Sequence, residues 1–290
     1  MDVIVTGPYG RVGTALIDHL HDRDEYDFTY FNRSEPDGPW SGHDTVVADI
    51  QEYDALLEAT QGHDAMIHLA AYPYVDSDWT DIHGPNITGM FNALEACRQA
   101  GVGTFVFGST NHVLGQYETE FAPEIYYPGH GMALDRDSPV RPDSFYGTSK
   151  VFGEALGRQY VENYDAPTQF YSLRICSVRY PEWDHPYGDA ERAVANGEIE
   201  RGSPEYEQRV ARMKAMWQSR RDLSHQVECC LQDDSVAFDI FSGVSDNDRR
   251  WYSIEHARSV LGYSPNDNGE AWDEPPAWSG NRAAVPDRSL

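Results

Sequence analysis

A doubly wound α/β fold, with one parallel sheet covered by helices on both faces, is predicted by two features of this 290-residue sequence. In the first 176 residues, short β-branched runs alternate with longer amphipathic segments. A glycine-rich turn joins the first run to the first amphipathic segment. Such alternation is typical of right-handed βαβ units, which bury a parallel sheet on both of its faces.

The pattern places the elements in a definite order. Strands are predicted at 2–7, 27–31, 45–49, 65–70, 103–109 and 168–176, and helices at 11–22, 51–60, 86–100 and 144–164. From 177 the pattern loosens into polar helical stretches, one returning strand near 236–244 and a helix at 253–261. We therefore predict a core domain over 1–176 that takes back the returning strand, and a smaller lobe with a tail over 177–290.

The charge balance excludes several classes of partner. The chain has 48 acidic and 22 basic residues, a net charge of −26, and its surplus of carboxylates is spread over the whole length. Binding to nucleic acid requires cations that displace condensed counterions, so a nucleic-acid partner is not expected, nor is an anionic membrane surface. Only Lys150 and Lys214 are lysines. Acidity combined with missing lysine favours a cytoplasm at molar salt; an ordinary acidic protein is the alternative.

Neither a secretory leader nor a membrane span is predicted. The start, "MDVIVTGPYG", lacks a basic region followed by an apolar one, and no apolar run approaches the ~18 residues that a span needs. The four cysteines show no metal-ligand spacing, so we expect reduced thiols, no metal and a cytoplasmic protein.

The turn "TGPYGRVG" carries Gly7, Gly10 and Gly13 between the first strand and the first helix. The first glycine permits the tight turn, the second lets a pyrophosphate approach the backbone, and the third lets the helix pack closely. Free N–H groups and the helix dipole favour an anion there. This context predicts a Rossmann dinucleotide site; a glycine-rich turn without a ligand is the alternative.

The end of the second strand indicates which dinucleotide binds. NAD enzymes usually place an acid there, but this strand ends in Asn32, Arg33 and Ser34. An amide, a guanidinium and a hydroxyl suit the 2′-phosphate of NADP, and Arg11 adds a second cation. NAD is the alternative, with the acids of the "EPDG" segment (35–38) on the ribose. Asp49, at the end of the third strand, is expected to reach the adenine amino group.

Tyr146 and Lys150 lie four residues apart in "RPDSFYGTSK", hence on one face of a helix. An ammonium beside a phenol favours the phenolate, so we expect Lys150 to lower the pKa of Tyr146 toward the working pH. Tyr146 is then a candidate general base. Lys150 is also expected to hold the nicotinamide ribose.

Further site candidates come from "VFGSTNHVLG" (106–115), a strand that runs into a polar turn. Thr110 is expected to bind the substrate oxygen from which Tyr146 takes a proton. Asn111 and His112 follow it and are candidates for substrate contact. Asn86, at the start of a predicted helix, is expected to order a water near the lysine.

With these motifs the chain resembles the extended short-chain dehydrogenase/reductase family, the NAD-dependent epimerase/dehydratase group. The matching stretches are "TGPYGRVG", "ADI", "HLAA" (68–71), "GPNITGMFNALEAC" (84–97), "GSTNHVLG", "YGTSK" and "SVLGYSP". The likeness is greatest to uronate dehydrogenases and related free-sugar 1-dehydrogenases. It implies a homo-oligomer, dimer or tetramer, and a coenzyme site of Gly7, Tyr9, Gly10, Arg11, Val12, Asn32, Arg33, Ser34, Asp49, Ile50, Leu69, Ala70, Ala71, Asn86, Tyr146, Lys150 and Ile175.

The same resemblance implies the substrate residues. These are Thr110, Asn111, His112, Tyr146 and Ser177, together with Arg212 of "RMKAMW", which would hold a sugar carboxylate. The chain departs from that pattern in a longer segment at 184–211 and in Pro73, where a serine is expected. A hexuronate and a neutral aldose therefore both remain open as substrate.

The reaction that these residues imply is oxidation of a cyclic sugar at C1 to its lactone. Tyr146 removes the hydroxyl proton, and hydride passes to NADP, or to NAD as the alternative. Two other functions stay open. One is a nucleotide-sugar epimerase or dehydratase, with the arginines at 192, 201, 209, 220 and 221 on a diphosphate. The other is a binding protein that holds NADP without turnover.

Overall fold

The computed structural model describes residues 1–277, and within that range seven parallel strands form one sheet. The strands are β1 (Asp2–Thr6), β2 (Asp27–Asn32), β3 (Thr45–Val47), β4 (Ala65–His68), β5 (Thr104–Thr110), β6 (Gln169–Ile175) and β7 (Phe238–Gly243). Their order in the sheet is β3-β2-β1-β4-β5-β6-β7. The direction of winding reverses between β1 and β4, the position where open α/β sheets bind ligands at the carboxyl ends of the strands.

Helices fill the connections between the strands. They are α1 (Arg11–Leu20), α2 (Tyr53–Thr60), α3 (Trp79–Ile82), α4 (Gly89–Ala100), α5 (Gly115–Phe121), α6 (Phe145–Asn163), α7 (Gly188–Ala195), α8 (Pro204–Met216), α9 (Arg220–Gln232) and α10 (Glu255–Leu261). A π-helical turn, His83–Thr88, joins α3 to α4. The predicted helix at 86–100 therefore begins earlier than the pattern indicated, and its first turn is widened.

Each face of the sheet has its own hydrophobic layer. On one face, Val3 and Val5 of β1 pack with Leu16 of α1 and with Leu223 and Val227 of α9. On the other face, Ile4 of the same strand packs with residues of α2, α4 and α6. The alternation along β1 follows from the two-residue period of a strand. Both faces are covered, as the apolar strands predicted.

The doubly wound parallel sheet is confirmed. β7 comes from the second part of the chain and joins the edge of the sheet beside β6, as expected for the returning strand. Helices α7 and α8 bury a separate small cluster made of Tyr187, Ala190, Tyr206 and Val210. The division into a core and a lobe over 177–290 stays a prediction, and its last residues, 278–290, lie outside the described part. No helix among the described residues is long and apolar enough to cross a membrane.

Candidate active site

The glycine turn brings the ends of β1 and β4 into contact. Gly7 has a φ of +68°, and a Cβ on it would lie 2.7 Å from the backbone nitrogen of Ala70. Gly13 is inside α1, where a Cβ would collide with the carbonyl oxygen of Pro8. The third glycine thus lets the helix pack against the turn itself. A Cβ on Gly10 would instead make only an ordinary van der Waals contact, 3.8 Å from the Gly7 carbonyl oxygen.

The start of α1 fits a dinucleotide phosphate. The N-cap is Gly10, which offers no side-chain hydrogen bond, and the first turn contains no acidic residue. The N–H groups of that turn are therefore open to an anion. Arg11 is exposed at the same point. Tyr9 is fixed by a 2.5 Å hydrogen bond between its hydroxyl and that of Thr45, and Val12 packs on the core.

The end of β2 places the adenosine candidates at the surface. The Asn32 amide donates to the Ser34 carbonyl at 2.8 Å, which shapes the turn after the strand. Arg33 is exposed and has no hydrogen bond or ion pair to the residues in 1–277. Asp49 accepts hydrogen bonds from the Gln51 backbone and side chain, so its carboxylate is oriented by its own turn.

Residues after β4 and from the π-helical turn form the next part of the cleft wall. Leu69, Ala70 and Ala71 are partly exposed, while Ile50 is buried. The Asn86 side chain accepts from the Tyr72 backbone at 2.7 Å and donates to Ser149 Oγ at 3.0 Å. Asn86 therefore ties the segment after β4 to α6. Its expected water-ordering role stays a prediction.

Tyr146, Lys150 and Thr110 come together at the carboxyl edge of the sheet. Thr110 ends β5, and its neighbour in the sheet register is Ile175 of β6. The Thr110 hydroxyl lies near the Tyr146 side chain, close enough to affect its pKa. Lys150 Nζ donates to the Gly108 carbonyl at 2.7 Å and lies 5.9 Å from the centre of the Tyr146 ring. The predicted catalytic trio is thus assembled by two elements, β5 and α6.

The electrostatics of this trio differ from the sequence-based expectation. Burial raises the pKa of Tyr146 to about 12, and the nearby Thr110 hydroxyl opposes that shift. Burial lowers the pKa of Lys150 to about 7, against the Coulombic effect of Glu154. In the chain by itself, the prediction that Lys150 lowers the pKa of Tyr146 is wrong, because desolvation dominates for both groups.

Beneath Lys150 lies a buried ion pair that the sequence reasoning missed. Glu154 receives two hydrogen bonds from Arg174, at 2.9 and 3.0 Å, and one from Ser109 Oγ at 2.8 Å. Glu154 follows Lys150 by four residues on α6, so its position on the same helix face was readable from the sequence. The pairing with Arg174, on a different element, was not.

The substrate candidates line the same cleft. The Asn111 side chain is buried, and its Nδ2 has no hydrogen-bond partner among the described residues. A buried donor without a partner costs free energy unless a ligand or water accepts from it. His112 Nδ1 lies 2.7 Å from Asp143 Oδ2, and the His112 ring is edge-on to Tyr146. Asp143 thus orients His112, another contact that sequence reasoning did not find.

Arg212 and Ser177 lie together just beyond the end of β6. Arg212 Nη1 is 3.5 Å from Ser177 Oγ. The guanidinium also donates to Glu118 from Nε and Nη2, at 2.5 and 3.1 Å. Nothing in the sequence pattern indicated Glu118, which lies on α5. The predicted carboxylate clamp is therefore already paired with an internal carboxylate.

Most of the arginines considered for binding a diphosphate form ion pairs with carboxylates of the protein. Arg201 pairs with Glu191, Arg209 with Glu198 and Glu205, Arg220 with Asp18, and Arg221 with Asp267. Arg220 is also buried between α1 and α9. Of the five, Arg192 alone has no ion pair within the described residues. This arrangement gives little support to a nucleotide-sugar site.

A family model for the NAD dependent epimerase/dehydratase family matches residues 3–224. The chain belongs to this family. It is 37% identical over 286 residues to an NAD-dependent glucose-6-phosphate dehydrogenase of Haloferax volcanii, covering 94% of this chain and 98% of the relative. It is 34% identical to the L-arabinose 1-dehydrogenase (NAD(P)(+)) of the same organism, covering 92% and 96%. The expected enzyme class, an NAD(P)-dependent sugar dehydrogenase, is confirmed by these relatives.

Among solved structures, a mutant of uronate dehydrogenase from Agrobacterium tumefaciens complexed with NAD matches with a TM-score of 0.71. It is 27% identical in sequence, and the match covers 96% of this chain and 92% of that one. The expected likeness to uronate dehydrogenases and free-sugar 1-dehydrogenases is thus confirmed. The individual site residues stay predictions.

Proposed function

We propose that the protein oxidises a free aldose or a hexuronate at C1 to its lactone, with Tyr146 as the general base. The observation that supports this most directly is the convergence of Tyr146, Thr110 and Lys150 beside the Asn111 amide, whose Nδ2 has no hydrogen-bond partner in the described part of the chain. A hydroxyl, a phenol and a buried donor in one cleft suit a polyol substrate. The relatives that act on arabinose and on uronates support the same reaction.

In this proposal the chain's own groups handle the proton and the position of the sugar. As the phenolate, Tyr146 takes the proton of the C1 hydroxyl on its Oη, and Thr110 Oγ1 orients that hydroxyl. Asn111 Nδ2 donates to a ring hydroxyl and thereby satisfies its buried hydrogen bond. His112, held by Asp143, contacts a second hydroxyl. When bound, NAD(P)⁺ supplies the hydride acceptor.

NADP is the preferred coenzyme in this proposal, with NAD as the second. Support comes from Asn32 at the end of β2, where a carboxylate would hold the ribose of NAD, and from the exposed Arg33, which has no ion pair within residues 1–277. A guanidinium that no described carboxylate pairs with is available to a 2′-phosphate.

The proposed setting is the cytoplasm, and the proposed state is a homo-oligomer. The four cysteines are free thiols, which suits a reducing compartment. The homo-oligomer rests on the family resemblance.

One panel tests the proposal. Arabinose, xylose, galactose, glucose, glucuronate, galacturonate and glucose 6-phosphate are each assayed with NADP and with NAD in molar KCl. We expect reduction of the coenzyme, faster with NADP, and a loss of at least about 10³-fold in Tyr146→Phe with coenzyme binding retained. Unchanged turnover in Tyr146→Phe would remove the general-base assignment, and a strong preference for NAD would remove the coenzyme assignment. If no sugar reduces either coenzyme, the reaction itself is wrong.

A further inference from the structure

Beside Ser177, one of the substrate candidates, lies a tightly held pair of opposite charges. Glu118 lies on α5 and receives hydrogen bonds from Nε and Nη2 of Arg212, which lies on α8. The Tyr126 hydroxyl donates a third hydrogen bond to Glu118, at 3.0 Å. The side chains of Glu118 and Arg212 are 13% and 27% exposed, so the pair is mostly desolvated but still reaches solvent.

This pair adjoins the substrate candidates. Arg212 Nη1 is within 3.5 Å of Ser177 Oγ, and Ser177 lies two residues after Ile175, the sheet partner of Thr110. Tyr252 lies near Glu118 and Arg212 and donates its hydroxyl to the Asn111 carbonyl. Glu118 and Arg212 therefore lie near the ends of β5 and β6, where the substrate candidates are placed.

Within residues 1–277, no second carboxylate competes for the pairing with Arg212. Asp189 is the other acid close enough to act on Arg212, but it accepts two hydrogen bonds from Arg179. Burial works against the charge of Arg212, yet Glu118 holds the pKa of Arg212 above its usual range. The guanidinium is thus fully ionised, and its bidentate face is occupied by the protein's own carboxylate.

Resting on the proposed sugar oxidation, we propose that Glu118 is a specificity-determining residue that excludes sugars with a carboxylate at C5. Glu118 takes the place on Arg212 that a substrate carboxylate would need. A uronate would also bring a second negative charge beside Glu118 in a poorly solvated site, where like charges repel strongly. The substrates that remain are those whose C5 substituent is uncharged at that position.

The experiment compares wild type with Glu118→Gln, which keeps the size of the side chain and one acceptor oxygen. With saturating coenzyme, kcat/KM is measured for galactose, glucose, galacturonate and glucuronate. We expect wild type to prefer the neutral sugars by at least tenfold, and Glu118→Gln to raise the uronate-to-aldose ratio by at least tenfold. Glu118→Ala is measured in parallel, and melting curves show which variant is folded.

Two further variants make the result specific. Glu120→Gln, on the same helix, removes an exposed acid that pairs with Arg141 at 2.9 Å, and it should leave the ratio within twofold. The double variant Glu118→Gln, Arg212→Gln should lose the gain in uronate oxidation, because the gain requires the freed guanidinium. A wild type that already prefers uronates, or a ratio unmoved in Glu118→Gln, overturns the assignment.

Equilibrium binding separates this inference from the proposed reaction. Calorimetric titration with glucuronate is performed on wild type and on Glu118→Gln without turnover. Tighter binding by Glu118→Gln, by at least tenfold, supports the role of Glu118 even if no sugar is oxidised. Equal binding overturns that role even if sugars are oxidised.

Discussion

The Lys150 side chain is a hydrogen-bond donor that is buried away from solvent. The residue is 4% exposed, and its Nζ lies 2.7 Å from the Gly108 carbonyl and 4.7 Å from the centre of the Phe107 ring. Burial lowers its pKa to about 7, whereas a lysine in an unfolded chain titrates near ~10.4. Keeping this charge in the folded state therefore costs stability, and the cost depends on pH.

Replacing Lys150 by Met should remove that dependence. Between about pH 7 and 10 the unfolded wild-type chain binds one proton more than the folded chain, so the Lys150 contribution to the free energy of unfolding rises with pH through this window. The Lys150 contribution is fully present above the pKa of the unfolded chain, and it is lost as pH falls toward 7. The rise is on the order of 5 kcal/mol at most. Urea unfolding at constant molar KCl, from pH 6 to 10.5, measures it.

The comparison is the difference between the two proteins at each pH, which cancels the titration of every other group. The free energy of unfolding of wild type, relative to that of Lys150→Met, should rise between about pH 7 and 10. Outside this range the difference should not change with pH. Parallel curves would mean that Lys150 is solvated in the folded protein and keeps its ordinary pKa.

The strand–turn–helix unit of β1 and α1 depends on close backbone approach at Gly13. A Cβ there would meet the backbone of Pro8, which cannot rotate away as a flexible side chain would. We expect Gly13→Ala to shift the turn, to destabilise the protein by about 1–3 kcal/mol, and to raise the KM for the coenzyme at least tenfold. Chemical denaturation and coenzyme titration measure the two effects.

Gly42→Ala is the matched control. A Cβ on Gly42 would have no heavy atom within 4 Å, and its φ lies outside the left-handed region. The control should retain stability and coenzyme KM, or gain slightly in stability by restricting the unfolded chain. If Gly13→Ala binds coenzyme as well as Gly42→Ala does, the turn is not the phosphate site that its geometry suggests.

Local patterns predicted the elements well because the physics behind them is local. Strand alternation, the glycine turn and the four-residue spacing of Tyr146 and Lys150 each follow from the period of one element. The pairing of Glu118 with Arg212 joins residues 94 positions apart, and no periodicity encodes such a contact. The direction of the Tyr146 pKa was also missed, since desolvation depends on the elements that pack around the ring.

The contacts of the arginines also could not be predicted from local sequence patterns. Arg220 was a reasonable candidate for a diphosphate from its sequence neighbourhood, but its side chain pairs with Asp18 and Thr14 of α1. That contact exists because α9 returns to pack on α1, which is a property of the whole sheet. Only the assembled layers decide which charges face the cleft.

Neither of the two lysine side chains belongs to the exposed surface of the molecule. Lys150 is buried under Tyr146, and Lys214 donates to the Trp272 carbonyl at 2.7 Å, with its side chain 12% exposed. The exposed cations are therefore arginines, several of which form ion pairs with carboxylates, as Arg23 does with Glu228. Against a net charge of −26, this surface repels itself in dilute buffer.

Salt should relieve that repulsion, and helix α2 offers a place to measure it. Asp54 and Glu58 are exposed, lie four residues apart and form no ion pair among the described residues. Such like-charge pairs destabilise a helix by about 0.2–0.5 kcal/mol at low salt. The Debye length falls from about 10 Å at 0.1 M salt to about 3 Å at 1 M, so the penalty should vanish at high salt. We expect wild-type Tm and activity to rise with KCl, and the Asp54→Asn, Glu58→Gln variant to exceed wild-type Tm only at low salt.

A control variant that should change Tm in the opposite direction at low salt is Glu162→Gln on α6. It removes an exposed carboxylate that is paired with Arg158 at 3.3 Å. Losing a favourable pair should lower Tm slightly at low salt, and the difference should also vanish in molar KCl. Opposite low-salt shifts that converge at high salt would assign the salt requirement to screening of the surplus carboxylates. If wild type is most stable in dilute buffer, self-repulsion is not what limits this fold, and the missing surface lysine needs another cause.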